Sequence, residues 1–152
     1  MNFPINKTQL EPLLDLSTVF HESNSLFLIE KKDEGKTHLL RAIGNQILGD
    51  CPDMNVLYVR SEDFVEEVIL SLRDGTLDAL KSKYISAKIL LIDDIQNIDG
   101  KRISQCMLHD ILSIALETKN RIVLSSDRHP TEIQDLNYSL ASYFLDMKIV
   151  DV

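Results

Sequence analysis

Short, nearly continuous apolar runs alternate along this chain with stretches in which apolar residues recur every three or four positions. SLFLIE (25–30), NVLYVR (55–60), KILLID (88–93), RIVLSS (121–126) and MKIVDV (147–152) lack the apolar/polar rhythm of a half-exposed strand. They predict strands covered on both faces. Over 37–48, Leu39, Leu40, Ile43 and Ile47 share one helical face. Ser61 is placed to cap the next helix, with Glu62 and Asp63 in a first turn that favours negative charge. That helix carries Phe64, Val65, Val68, Ile69 and Leu72 as far as Asp74-Gly75. Thr76 can cap a shorter helix ending near Tyr84. A long helix over 103–118 turns Met107, Leu108, Ile111, Leu112 and Ala115 inward, and Pro130 opens a short one. Segment 7–20 reads as a helix broken near Pro12. Strands and helices in alternation predict an α/β fold, a parallel sheet between layers of helices.

Composition narrows the class. At 152 residues the chain can bury a core and make one domain. It has no run of about 18 apolar residues, so no membrane span is expected. Its first residues lack the basic and then apolar segments of a secretion signal. Cys51 and Cys106 stand far apart without metal or redox spacing, which suits reduced thiols in a cytoplasmic protein. The 24 acidic against 16 basic side chains give a net charge of −8, which disfavours tight, autonomous DNA binding.

Three stretches carry candidate chemistry. In LFLIEKKDEGKTHLL (26–40), an apolar strand runs through a loop into Gly35-Lys36-Thr37 and a helix. This is the frame of a phosphate-binding loop, in which the lysine reaches the terminal phosphates and the hydroxyl ligates Mg²⁺. Glu30 occupies the place of that motif's first glycine. In LLIDDIQ (90–96), Asp93 and Asp94 end a strand at the sheet edge where ligands bind. The first could hold Mg²⁺ and the second could orient an attacking water. In IVLSSDRHP (122–130), Asp127 ends another strand, where a polar residue can sense a terminal phosphate. Each has a plainer reading, because GKT is common and acids at strand ends can simply face solvent. His21, His38, His109 and His129 show no zinc spacing, and adjacent His109 and Asp110 are expected to point apart. Tyr84, Phe64 and Phe144 are expected in the core.

Together these residues resemble a known family. From Gly35 to about Phe144, GKTHLLRAIGNQIL, NVLYVRSEDFVEEV, LLIDDIQNIDGK, IVLSSDRHP and LASYF are similar, in order, to the AAA+ ATPase domain of the bacterial replication initiator DnaA. The resemblance implies a three-layer α/β/α sandwich with a five-stranded parallel sheet, the P-loop NTPase (AAA+) base domain. Residues 1–152 are then expected to be one such domain, without the helical lid and the helix-turn-helix DNA-binding domain. The implied roles place nucleotide on Gly35, Lys36, Thr37 and Asp127, with Mg²⁺ on Thr37 and Asp93. Asp94 becomes a vestigial catalytic acid, and ATP or ADP with Mg²⁺ the implied cofactor. The helix pair over 61–84 corresponds to the insertion that grips single-stranded DNA in this family. Ile69, Lys101 and Ser104 fall near its DNA-contacting positions.

The departures from the family pattern bear on function. Its glycine-rich loop is replaced by Glu30, Lys31, Lys32, Asp33 and Glu34. Three carboxylates near a polyphosphate cost on the order of several kcal/mol each at an effective dielectric near 20, before the lysines offset some. Losing about 4 kcal/mol turns a micromolar site into a millimolar one. An arginine of the family stands at Ile103, beside Arg102. The family tail RLxSRF, whose second arginine acts as an arginine finger, reads Ser139-Leu140-Ala141-Ser142-Tyr143-Phe144. Tyr143 cannot supply that fixed charge. The leading expectation is an interaction module that has lost hydrolysis. It would act in initiation or regulation of DNA replication on partners such as DnaA, the replicative helicase or its loader. An ATP- or ADP-binding switch and an excised fragment of a longer initiator are the other two readings.

Overall fold

The structure, a computed structural model, describes residues 24–30 and 36–152, with the side chains of residues 36–38 left out. The helix predicted over 7–20 lies outside the described residues. Five strands, β1 (Ser25–Ile29), β2 (Val56–Arg60), β3 (Ile89–Asp93), β4 (Arg121–Ser126) and β5 (Lys148–Asp151), fall within a residue of the predicted runs. They form one parallel sheet in the order β2-β3-β4-β1-β5. The helices are α1 (Lys36–Asp50), α2 (Ser61–Asp74), α3 (Leu77–Ile85), α4 (Arg102–Glu117) and α5 (Tyr138–Asp146). Short 3-10 turns cover Ile95–Ile98 and Pro130–Glu132.

Strand alternation sorts the side chains into two cores. Phe27, Ile29, Leu90, Ile92, Ile122 and Leu124 point to one face, where α2, α3, α4 and α5 cover them. Leu26, Leu28, Ile89, Leu91 and Val123 point to the other, under Leu39, Leu40 and Ile43 of α1. Burying each such side chain contributes roughly 1.5–3 kcal/mol. Phe27 meets Phe144 at 5.5 Å, and Phe64 meets Tyr84 edge-on at 5.1 Å. Gly44 lets α1 lie close on β3, since a Cβ there would come within 3.1 Å of Leu91 Cδ1.

Several local expectations need correction. Ser61 does not cap α2; it is already the first helical residue, because the helix follows β2 with no intervening residue. Its buried hydroxyl donates instead to the Asp94 carbonyl at 2.6 Å. Thr76 precedes α3 but makes no side-chain cap bond. Only β1, β3 and β4 are buried on both faces; β2 and β5 are the sheet edges and stay partly open. On α2 the apolar stripe is wider than the core beneath it, so Ile69 and Leu72 face outward. His109 and Asp110 do not point apart, because their exposed side chains bend together to 3.4 Å. The apolar pattern predicts no helix over 138–146, where α5 stands; Asn137 caps that helix by accepting from the Ser139 N–H at 2.8 Å.

Candidate functional site

β3 and β4 are neighbours, and their C-terminal ends bring Asp93, Asp94 and Asp127 to one edge of the sheet. β1 lies on the other side of β4, and the Glu30 N–H donates to the Ser126 carbonyl at 2.8 Å just where the predicted phosphate loop departs. Gly35 and the side chains of Lys36 and Thr37 lie outside the described residues, although the backbone of Lys36 and Thr37 opens α1 as expected. β1 and the helix α1 therefore follow one another in the predicted order, and Asp127 ends the strand next to β1.

Asp93 is fully buried, and both of its carboxylate oxygens are hydrogen-bonded. Oδ2 accepts from the Tyr58 hydroxyl at 2.8 Å, and Oδ1 accepts from the Ser125 hydroxyl. Ser125 Oγ in turn accepts the Asp94 N–H at 3.0 Å. The carboxylate thus ties β2, β3 and β4 together. Burial pushes the Asp93 carboxyl above its ordinary range, although the bonds from Ser125 and Tyr58 pull the other way. Burial, and then the neighbouring Asp93 charge, pushes the Tyr58 phenol up. Arg41 of α1 lies over the Tyr58 ring at 5.4 Å, which links the helix after the predicted loop to this network.

Asp94 sits in the left-handed region at φ 56°, a conformation more accessible to Asp than to bulkier residues. Ser61 holds its carbonyl, and Gln96 Nε2 reaches its Oδ1 at 3.4 Å. The other end of Gln96 accepts the Asp127 N–H at 3.3 Å. The Asp127 carboxylate takes a two-pronged bond from Arg128, 2.7 Å from Nε and 3.0 Å from Nη2. This pairing raises the Arg128 guanidinium further above its ordinary value. Among the described residues no group of three or more His, Cys, Asp or Glu is placed to hold a metal ion. Each Asp93 oxygen accepts one hydrogen bond within the protein, and the side chain of Thr37, the other implied Mg²⁺ ligand, lies outside the described residues.

The motif reading did not single out Tyr58, Ser125, Gln96 and Arg128. A polar pair, Ser125-Ser126, ending an apolar strand was the available signal. Tyr58 gave none, because an aromatic residue in an apolar run reads as core.

A second cluster lies on the helical face. Ile69, Lys101 and Ser104 line one groove of about 310 Å³, together with Val65, Val68, Leu72 and Ile103. Ile69, Leu72 and Ile103 are 60%, 48% and 52% exposed, whereas Ser104 is buried at 3%. On α5, Tyr143 stands where the resemblance expects the finger arginine. It is half-buried against the core and meets the His109 ring edge-on at 5.0 Å.

Comparison with known proteins decides the ancestry of this architecture. The family model described as the bacterial DnaA ATPase domain matches residues 14–150. The chain belongs to the bacterial DnaA ATPase domain family. The chromosomal replication initiator protein DnaA of Psychromonas ingrahamii is 42% identical to this DnaA-family chain over 121 residues, 80% of the chain and 26% of that relative. The crystal structure of domain III of the Thermotoga maritima replication initiation protein DnaA superposes with a TM-score of 0.87 at 31% identity. That match covers 99% of this chain and 63% of that one. A replication initiator DnaA bound to AMPPCP and single-stranded DNA matches with a TM-score of 0.84 at 28% identity, covering 99% of this chain and 48% of its own. This DnaA-family chain spans about a quarter of the length of the replication initiator it matches in sequence.

Proposed function

We propose that this DnaA-family domain acts in initiation or regulation of DNA replication through contacts with other replication proteins, without hydrolysing ATP. The observation that carries the reading is Tyr143. At the position of the finger arginine stands an aromatic side chain half-buried against the core and packed edge-on to His109. Neither its chemistry nor its placement supplies a fixed positive charge to a phosphoryl group in a neighbouring subunit. The partners that fit are DnaA itself and the replicative helicase or its loader, in the cytoplasm. A subunit with one competent face and one inactive face would cap a head-to-tail assembly.

Light scattering and pull-down with DnaA and with the replicative helicase test the contact, with a defined complex expected for at least one. A turnover assay tests the chemistry, with no phosphate release above the buffer rate expected from the isolated chain. Failure to bind either protein, or turnover abolished by Lys36→Ala, would remove this reading.

A second reading rests on Asp93, Asp94 and Asp127 being gathered at one sheet edge beside the start of α1. On that reading the domain is an ATP- or ADP-binding switch, as the AMPPCP bound by a related DnaA suggests. Titration with a fluorescent ATP analogue and Mg²⁺ separates the two. Binding tighter than about 10 μM that disappears in Lys36→Ala selects the switch.

A further inference from the structure

The groove between α2 and the start of α4 has an aliphatic floor and a cationic mouth. Val65, Val68, Ile69 and Leu72 follow one another at helical spacing along α2. The first two are in the core, and the last two turn outward to meet Ile103. Exposed aliphatic side chains that converge on a concavity of about 310 Å³ form a patch of the kind that marks a binding surface. Among the described residues no acidic one lines it, and the first turn of α4 carries none either. Lys101 and Arg102 are exposed at its edge, and neither forms an ion pair among the described residues. The positive end of the α4 dipole adds to their field.

We propose that this groove docks a segment of a partner protein that is acidic and carries an aliphatic anchor. The anchor would fill the floor between Ile69, Leu72 and Ile103, and its flanking carboxylates would meet Lys101 and Arg102. Helix-in-groove recognition uses this combination, with anchors spaced three or four residues apart. Single-stranded nucleic acid is the poorer fit. Surfaces that hold it combine a basic track with aromatic platforms on which bases stack. Among the described residues the lining here has no aromatic residue and two cations. The inference rests on the protein-contact reading above and gives that contact a location and a chemistry.

Selection from a displayed library of random peptides tests it, with the whole chain as bait and Ile103→Glu as the counter-bait. Enriched peptides are expected to be net negative with aliphatic residues at helical spacing. In fluorescence anisotropy their affinity should fall about tenfold or more in Ile103→Glu and in the double substitution Lys101→Glu/Arg102→Glu. These positions are exposed, and circular dichroism shows whether each variant remains folded. The proposal is overturned if no peptide is enriched, if the enriched peptides are neutral or basic, or if the substitutions leave their binding unchanged. It is also overturned if oligothymidylate binds more tightly than the best acidic peptide and loses that binding in Ile103→Glu. A chain that fails these tests yet still binds DnaA or the helicase keeps the protein-contact reading and uses another face.

Discussion

Asp93 shows how a motif residue can acquire a second occupation. A carboxylate at the end of a buried strand was legible from LLIDD, but its partners were not, because Tyr58 and Ser125 come from strands 35 and 32 residues away in sequence. Only the strand order brings them to it. The buried carboxyl has a raised pKa, so the folded state holds its proton more tightly than the unfolded chain does. Folded stability therefore falls as pH rises from the ordinary value of 3.8 through the raised one, and the charged form is the less favourable one above it. Asp93→Asn removes this titration. The stability difference between wild type and Asp93→Asn should move against wild type as pH rises across that window and be level on either side. Urea denaturation of both proteins at a series of pH values measures it, and the difference cancels titrating groups that do not interact with Asp93. A difference that does not change with pH would show that burial is not what governs this carboxylate.

At the scale of elements, the apolar pattern was a good guide wherever one period ruled. All five strands and the three helices over 36–50, 61–74 and 102–117 were legible, because each buries a face against a neighbour. The pattern stopped short where two elements abut, and α5 runs into β5 with only Met147 between them. The cap on α2 was misread for a similar reason, since β2 feeds the helix directly and Ser61 turns to Asp94. Besides the packing of Leu140 and Phe144, α5 is anchored by a buried side chain that no local pattern reveals. Gln105 of α4 donates to the carbonyls of Ile98 and Asp135, each at 2.8 Å, and accepts from the Asn137 N–H at 2.7 Å. It fastens the segment that carries the α5 cap to the start of α4. Gln105→Ala leaves the Asn137 N–H without its partner and removes one of two bonds from each of the Ile98 and Asp135 carbonyls, at a cost of about 1–3 kcal/mol. Chemical denaturation should record that loss. Hydrogen exchange should show faster opening over 133–146 than over the central strands, because two of the three bonds of the staple reach that segment.

For the whole molecule, charge decides what the groove can hold. A net charge of −8 opposes the approach of any anionic partner, so the cations at the groove set how strongly a polyanion is held. Among the described residues lining the groove only Lys101 and Arg102 could neutralise phosphates, whereas the resemblance implies a further arginine at the position of Ile103. Counterion release from single strands gives a slope of log affinity against log salt of about −0.7 per phosphate neutralised. Two cations therefore allow a slope no steeper than about −1.4 for the wild-type chain, with weak affinity throughout. Ile103→Arg restores a cation and removes an aliphatic wall of the groove. It should steepen the slope by about 0.7 and strengthen binding of oligothymidylate at low salt. The same substitution should weaken binding of an acidic, aliphatic-anchored peptide, because the anchor loses its wall even as the charge rises. Anisotropy titrations of both probes across a salt series measure the two effects in one protein. Opposite movement of the two affinities would mean that this one position selects between nucleic acid and protein. A wild-type slope steeper than about −3 would instead require a basic surface beyond these two residues, and the assignment of the groove to a protein partner would fail with it.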